Sequence, residues 1–335
     1  MRLPVLIAAL VLAATSHAQV EKRDVHIAVG GKAAFYYLPL TIAEQQGYFK
    51  DEGLEVKISD FAGGAVALRA VVGGSADVVS GAYEHTISLQ SKKQFFRAFV
   101  LQGRLPQIAF GVSSAKAGQV RSFKDLKGLK IGVSAPGSST HNMVKQLLLK
   151  GGLDPNKDAA IIGVGVGAGA ISAMKSGQID AISNTDPVMT RLELDNAVKV
   201  IADTRTLKGT QEVWGAPLPA GCLYAPIEFT QKYPNTAQAL ANAIVRADKW
   251  IAKASATEVA KVVPEAYLMG DRALYLFSYD KVKEAISPDG IISEAGARAT
   301  LKSLAAFDQS IKPAEIKLEQ TYTNEFAKKA NSKYQ

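Results

Sequence analysis

Apolar and polar positions repeat along this chain in a fixed order. Residues 67–84 read ALRAVVGGSADVVSGAYE and residues 170–186 read AISAMKSGQIDAISNTD. Each stretch has helical spacing, then Gly-x-x-Asp, then an apolar run of strand character, then a polar loop. Gly74 matches Gly177 and Asp77 matches Asp180, both at an offset of 103 residues. Upstream, the strand-like His26–Val29 matches Lys130–Val133 at an offset of 104, and each is followed by a loop and a helix ending near Gly47 or Gly151. The order strand, helix, strand, helix, strand in each half predicts a largely parallel sheet covered by helices, and two halves predict two α/β lobes.

The linkage between the halves is also legible. Residues 98–112 are strand-like and lead out of the first half, 113–127 are polar and turn-rich, and 217–226 are apolar and extended enough to return. The expected organisation is therefore residues 19–112 and 217–335 in lobe I and residues 113–216 in lobe II. The two crossings, near Leu105–Val112 and Pro217–Tyr224, would act as a hinge. Beyond Ile227 the spacing turns helical. Ala237, Leu240, Ile244, Ala247 and Ile251 fall on one stripe behind a capping Asn235, and Ser255 with Glu258 forms a capping box. This tail is assigned to lobe I.

The N-terminus predicts export. Arg2 is followed by an apolar run, Leu3–Ala14, of 12 residues and then by Ser16-His17-Ala18. A membrane span needs roughly 20 apolar residues, so the run reads as a signal peptide, residues 1–18, cleaved after Ala18. Of 335 residues, 317 would then remain, enough for two domains with their own cores. The formal charge of +8 is scattered rather than blocked, which gives no nucleic-acid arm. Cys222 is the single cysteine; it lies in an apolar stretch and reads as a buried structural thiol. No cysteine near the cleavage point offers a lipid anchor, so a soluble periplasmic monomer is expected. His26, His85 and His141 lack ligand spacing, so neither a metal nor a cofactor is expected.

In open parallel sheets, ligands meet the carboxyl ends of the strands. That rule selects the loops 30–38, 80–85, 134–141 and 183–186. Gly137, Ser138, Ser139 and Thr140 open a helix, whose first turn has unpaired N–H groups and a positive dipole end suited to an anion. Phe35, Tyr36 and Tyr37 cannot all face one way; they either stack on a ligand or pack between lobe and tail. Gly64 and Gly81 are further ligand-binding candidates. Tyr83 with Glu84, and Asn184 with Asp186, each place a carboxylate at a strand end. Glu84 suits a ligand ammonium or ring N–H, while Asp186 precedes Pro187 and favours helix capping.

Taken together, the run FYYLPLTIAEQQGYFKDEGLEV (35–56), GGSADVV (73–79), GSSTHN (137–142) and GQIDA (177–181) resemble the substrate-binding proteins of nitrate, sulfonate and taurine ABC importers, a group that includes pyrimidine-precursor binders. The resemblance spans nearly the whole mature chain. It implies a type II periplasmic-binding-protein fold that closes on a small molecule and docks on transporter permease subunits. GSSTHN resembles the sulfonate-holding segment, which makes Ser138, Ser139 and Thr140 anion-binding candidates. GAYEH departs from the small-residue loop of sulfonate binders and leaves room for a zwitterion, an aromatic acid or a nitrogen heterocycle. Alternatives are a binder of a pyrimidine or thiamine precursor and a ligand-binding adaptor for a membrane sensor.

An enzyme is not expected. Residues 165–170, GVGAGA, fit G-x-G-x-x-A, but the following helix is short and Asp180 begins the next strand, whereas a ribose-binding acid belongs at that strand's end. The cysteine-rich motif implied for the related thiamine-pyrimidine synthases is absent, and no Ser-His-Asp or Cys-His set stands out, so no catalytic residue is named.

Overall fold

A computed structural model describes residues 19–335; the signal segment expected at 1–18 lies outside the described residues. Among the described residues, ten strands form two five-stranded sheets. The first holds β1 (Asp24–Val29), β2 (Glu55–Asp60), β3 (Val78–Ala82), β4 (Phe96–Leu101) and β10 (Gly221–Pro226), in the order β2-β1-β3-β10-β4. The second holds β5 (Ile108–Ser113), β6 (Lys130–Val133), β7 (Ala160–Gly163), β8 (Ala181–Thr185) and β9 (Val198–Asp203), in the order β7-β6-β8-β5-β9. β1 pairs in parallel with β2 and β3, and β6 with β7 and β8. β10 runs antiparallel to β3 and β4, and β5 antiparallel to β8 and β9. The two sheets thus share one topology, and each takes its fourth strand from a crossing of the chain. This is the type II periplasmic-binding-protein fold.

The repeat motif has a structural job. Asp77 Oδ2 accepts the His26 N–H at 2.9 Å, and Asp180 Oδ2 accepts the Lys130 N–H at 2.9 Å. Each carboxylate thereby ties its own strand's start to the neighbouring strand. Gly74 and Gly177 end the preceding helices at φ 76° and 73°, the left-handed region that glycine enters without strain. Asp180 is therefore a strand clamp, paired also with Lys116 at 2.8 Å.

One boundary expected from sequence is corrected. Ile108–Val112, placed in lobe I, belongs to β5, which pairs on both sides within the second sheet. Five of its six residues are buried, so both faces read apolar and the pattern carries no mark of which sheet it joins. The first crossing is shorter, Gln102–Gln107, and the second runs from Thr204 to Ala220. They lie side by side: Gly103 N–H donates to Gly221 O at 3.0 Å, and Ala220 N–H to Gly103 O at 2.8 Å.

The tail packs on the first sheet. Helix Pro234–Lys253 buries Ala237, Leu240, Ile244, Ala247 and Ile251 in the core beneath β1 and β4. Pro234, not Asn235, opens it, because a proline at the first helical position forfeits an N–H that has no partner there anyway. The Ser255–Glu258 capping box forms. Cys222 is fully buried in β10, and burial pushes its thiol well above the ordinary range. No helix among the described residues is long and apolar enough to cross a membrane.

Candidate functional site

The carboxyl ends of the two sheets face each other and are in contact. Helix Gly64–Val72 and helix Ser139–Lys150 start on opposite sides of this cleft. The Ala65 N–H donates to Ser138 Oγ at 3.0 Å across it, and Phe35 N–H donates to Asp186 O at 3.1 Å. Gly63 lets this approach happen, since a Cβ there would stand 2.9 Å from the Ala135 Cβ.

The 134–141 loop is held from within. The Ser134 N–H donates to Thr140 Oγ1 at 3.0 Å, and the two hydroxyls are 2.8 Å apart. Gly137 takes φ +89°, and its N–H donates to His141 Nδ1 at 3.0 Å. Burial, with Lys145 adding, pushes the His141 imidazole down to about 4, so the ring is neutral and free to accept. From the other side, His85 Nε2 lies 3.3 Å from Gly137 O and Nδ1 lies 2.9 Å from the Tyr224 hydroxyl. A carbonyl only accepts, so Nε2 carries the proton and the phenol donates to Nδ1. Burial lowers the pKa of His85 and Glu84 opposes that shift.

Two small cavities, about 30 Å³ each, lie at this junction. Tyr36, Ile108 and Ser139 line both and form the wall between them. The first is lined further by Tyr37, Gly64, Ser134, Ser138, Thr140 and Thr185. The second is lined by Glu84, Asn142 and Trp214, with Thr300, Ser303 and Leu304 from the tail helix Glu294–Phe307. The Tyr36 hydroxyl and Thr185 Oγ1 are buried without a hydrogen-bond partner, and so is Trp214 Nε1. Leaving a buried polar group unpaired costs about 1–3 kcal/mol, so three at one junction mark a place built for a polar guest. Burial raises the Tyr36 phenol well above its ordinary range, with Glu84 adding to the shift, so the hydroxyl stays protonated and can donate. The first cavity therefore offers donors: two hydroxyls and the helix start at Ser139, whose N–H groups the helix itself cannot satisfy. Glu84 gives the second cavity an acceptor; it takes the Asn142 amide from across the cleft at 3.3 Å.

Of the residues expected from sequence, the structure brings Tyr36, Tyr37, Gly64, Glu84, Ser138, Ser139 and Thr140 to these cavities. Five others face elsewhere. Phe35 packs on Tyr275, ring centroids 4.5 Å apart, in the tail. Tyr83 is fully buried, and its hydroxyl meets Thr321 Oγ1 at 2.7 Å. Gly81 sits in β3 beneath the Tyr224 ring, where a Cβ would come within 3.0 Å of it. Asn184 donates to Gly165 O at 2.9 Å. Asp186 is buried against Arg205 at 3.2 Å, and its Oδ1 accepts the Thr190 N–H at 2.8 Å, a capping role. Gly137 shapes the loop without lining a cavity.

Thr185 and Trp214 were missed. Thr185 lies between two expected residues, but adjacent strand residues face opposite ways, so choosing 184 and 186 chose the wrong face. Trp214 ends helix Leu207–Trp214 and reaches the cleft from the second crossing, a position no motif marks. Thr300 and Ser303 belong to a tail that carries only helical periodicity.

The NMT1-like family matches residues 18–264. A solved structure from Bordetella bronchiseptica RB50 is 59% identical, superimposes with a TM-score of 0.92, and the match covers 94% of this chain and 99% of that one. The alkanesulfonate-binding protein SsuA from Xanthomonas axonopodis pv. citri has the same fold, with a TM-score of 0.69 at 20% identity over 91% of this chain and all of that one. The 4-amino-5-hydroxymethyl-2-methylpyrimidine phosphate synthase of Schizosaccharomyces pombe is 29% identical over 150 residues, 44% of this chain and 41% of that enzyme.

Proposed function

The chain belongs to the NMT1-like family, and on that premise we propose that it is the soluble periplasmic solute-binding component of an ABC importer. It captures a small organic molecule with an anionic group, a sulfonate or carboxylate, between its lobes and presents it to the permease subunits. The observation that carries this reading is the pair of buried, unpartnered hydroxyls, Tyr36 and Thr185, beside a helix N-terminus in an interlobe cavity. Those donors and the dipole suit negative charge. The SsuA likeness supports a sulfonate head.

Binding rather than catalysis is supported by the site's chemistry. Its two histidines are engaged in holding the loop. The partial match to a pyrimidine phosphate synthase favours a second reading, a pyrimidine-precursor binder, and Glu84 would meet its ring N–H. Native mass spectrometry of gently purified protein, followed by calorimetry with the molecule released, tests both readings. A co-purifying anion that binds with 1:1 stoichiometry is expected; a protein that neither retains nor binds sulfonates or carboxylates would end the first.

A further inference from the structure

We infer that the ligand carries, beyond its anionic head, a neutral group that both accepts and donates a hydrogen bond, of the primary carboxamide type, and that the second cavity reads it through Trp214 and Glu84. This inference rests on the anion-binding reading of the first cavity and extends it.

Two of the polar groups that line the second cavity, Trp214 and Glu84, are opposite in kind. Trp214 Nε1–H is buried and has no acceptor. An indole N–H can only donate. Glu84 can only accept when ionised, and its hydrogen-bond partner here is the Asn142 amide at 3.3 Å, a long contact. Among the described residues it forms no ion pair. An ammonium would satisfy Glu84 but leave the indole N–H orphaned and facing a positive charge. A second carboxylate would satisfy Trp214 but meet Glu84 with like charge. A carboxamide answers both, its oxygen toward Trp214 and its N–H toward Glu84.

Size and surroundings agree. The cavity of about 30 Å³ is roughly twice what one water needs, which suits a group of two heteroatoms. Leu218, Pro219 and Ala220 make its wall apolar, so a mismatched polar group there would be desolvated without compensation. The Tyr36 hydroxyl stands in the wall shared with the first cavity and is positioned to bridge the ligand's two ends.

The test is a matched set of alkanesulfonates with one to three methylenes and four different ends: carboxamide, ammonium, carboxylate and methyl. Affinities for the full chain are measured by calorimetry. The carboxamide member of the best-fitting length is expected to bind about tenfold or more tighter than the other three. In Trp214→Phe the ratio of carboxamide to methyl affinity should fall to about threefold or less, a readout that a general loss of packing does not move. Should that variant fail to fold, the ranking on the unsubstituted protein decides alone. An ammonium member that binds tightest, or four members that bind equally, would overturn the inference while leaving the anion-binding reading intact. Failure of all members, and of the matching set with a carboxylate head in place of the sulfonate, to bind would overturn both.

Discussion

The Ser138 hydroxyl accepts the N–H of Ala65 at 3.0 Å, joining the start of one lobe's helix to the cap of the other's. One bond thus fills an unpaired first-turn donor in lobe I with an oxygen from lobe II. Its neighbour Ser139 lines both cavities beside Tyr36.

Ser139→Ala should therefore weaken binding of the anionic ligand by about 1–3 kcal/mol, the loss of one donor. Ser139→Asp should abolish binding, because its carboxylate takes the anion's place. The melting temperature without ligand should stay nearly constant in Ser139→Asp, since acids are favoured at helix N-termini. Calorimetry and thermal melts on the two variants check this. Normal binding by Ser139→Asp would sink the helix-start model.

Lys281 Nζ meets Glu193 at 2.8 Å, and Arg191 meets Asp271 at 3.2 Å; both pairs run from helix Val188–Leu194 in lobe II to the tail helix Arg272–Val282 or its cap. Both are partly exposed, so each is worth about 0–1 kcal/mol. Lys281→Met should lower ligand affinity by up to about fivefold and raise the radius of gyration of the ligand-free protein in small-angle scattering. High salt should mimic it in the parent. An unchanged radius would show that this clasp does not hold the cleft shut.

Acid should weaken the 134–141 loop through His141. Its folded pKa, about 4, lies below the unfolded value of about 6.5, so the unfolded chain binds the extra proton in between. The stability His141 contributes is present above about pH 6.5 and is lost as pH falls toward 4. His85, also lowered by burial, acts in the same direction. His141→Asn keeps an acceptor for the Gly137 N–H without titrating. Melting curves from pH 7 to pH 4 should show a shallower acid loss in that variant than in the parent; parallel curves would refute the assignment.

Asp248 works in the opposite sense. It is fully buried in helix Pro234–Lys253 with both carboxylate oxygens unpartnered. Burial pushes its carboxyl well above the ordinary range, and Asp289 adds to the shift. The folded state then holds the proton longer than the unfolded one, so stability falls as pH rises past about 3.9. Asp248→Asn should stabilise the protein at pH 7 by about 2 kcal/mol, and the gain should vanish near pH 3. Denaturant melts at the two pH values measure it. A destabilised variant at pH 7 would mean the carboxylate has a partner in solution.

How much of this was legible in the sequence follows from what each pattern encodes. The repeat announced two sheets because Gly74 and Asp77, and their counterparts Gly177 and Asp180, do backbone work that needs those residue types. The helix start at Ser138–Thr140 was legible for the same reason. Ile108–Val112 reads as lobe I yet joins the second sheet, because a strand buried on both faces looks alike in either sheet. Phe35, Tyr83 and Asp186 lie at strand ends as expected but turn into the tail or toward Arg205, and side-chain direction there is decided by packing that sequence spacing does not record. Trp214 and Thr300 reach the site through tertiary contact alone.

The paired crossings have a consequence for how the molecule can be cut. Leu101 is the register partner of Cys222, and Thr204 N–H donates to Ile108 O at 2.8 Å. Each lobe's two open ends are therefore neighbours on antiparallel strands. Joining residue 101 to residue 222 by a tight turn converts β4 and β10 into an ordinary hairpin and leaves lobe I as one continuous polypeptide. The excised piece, residues 108–203, begins and ends at a single point in space. The molecule is in this sense one α/β unit spliced into the hairpin of another, and that splice point is where a fluorescent reporter could be inserted to turn lobe motion into an optical signal.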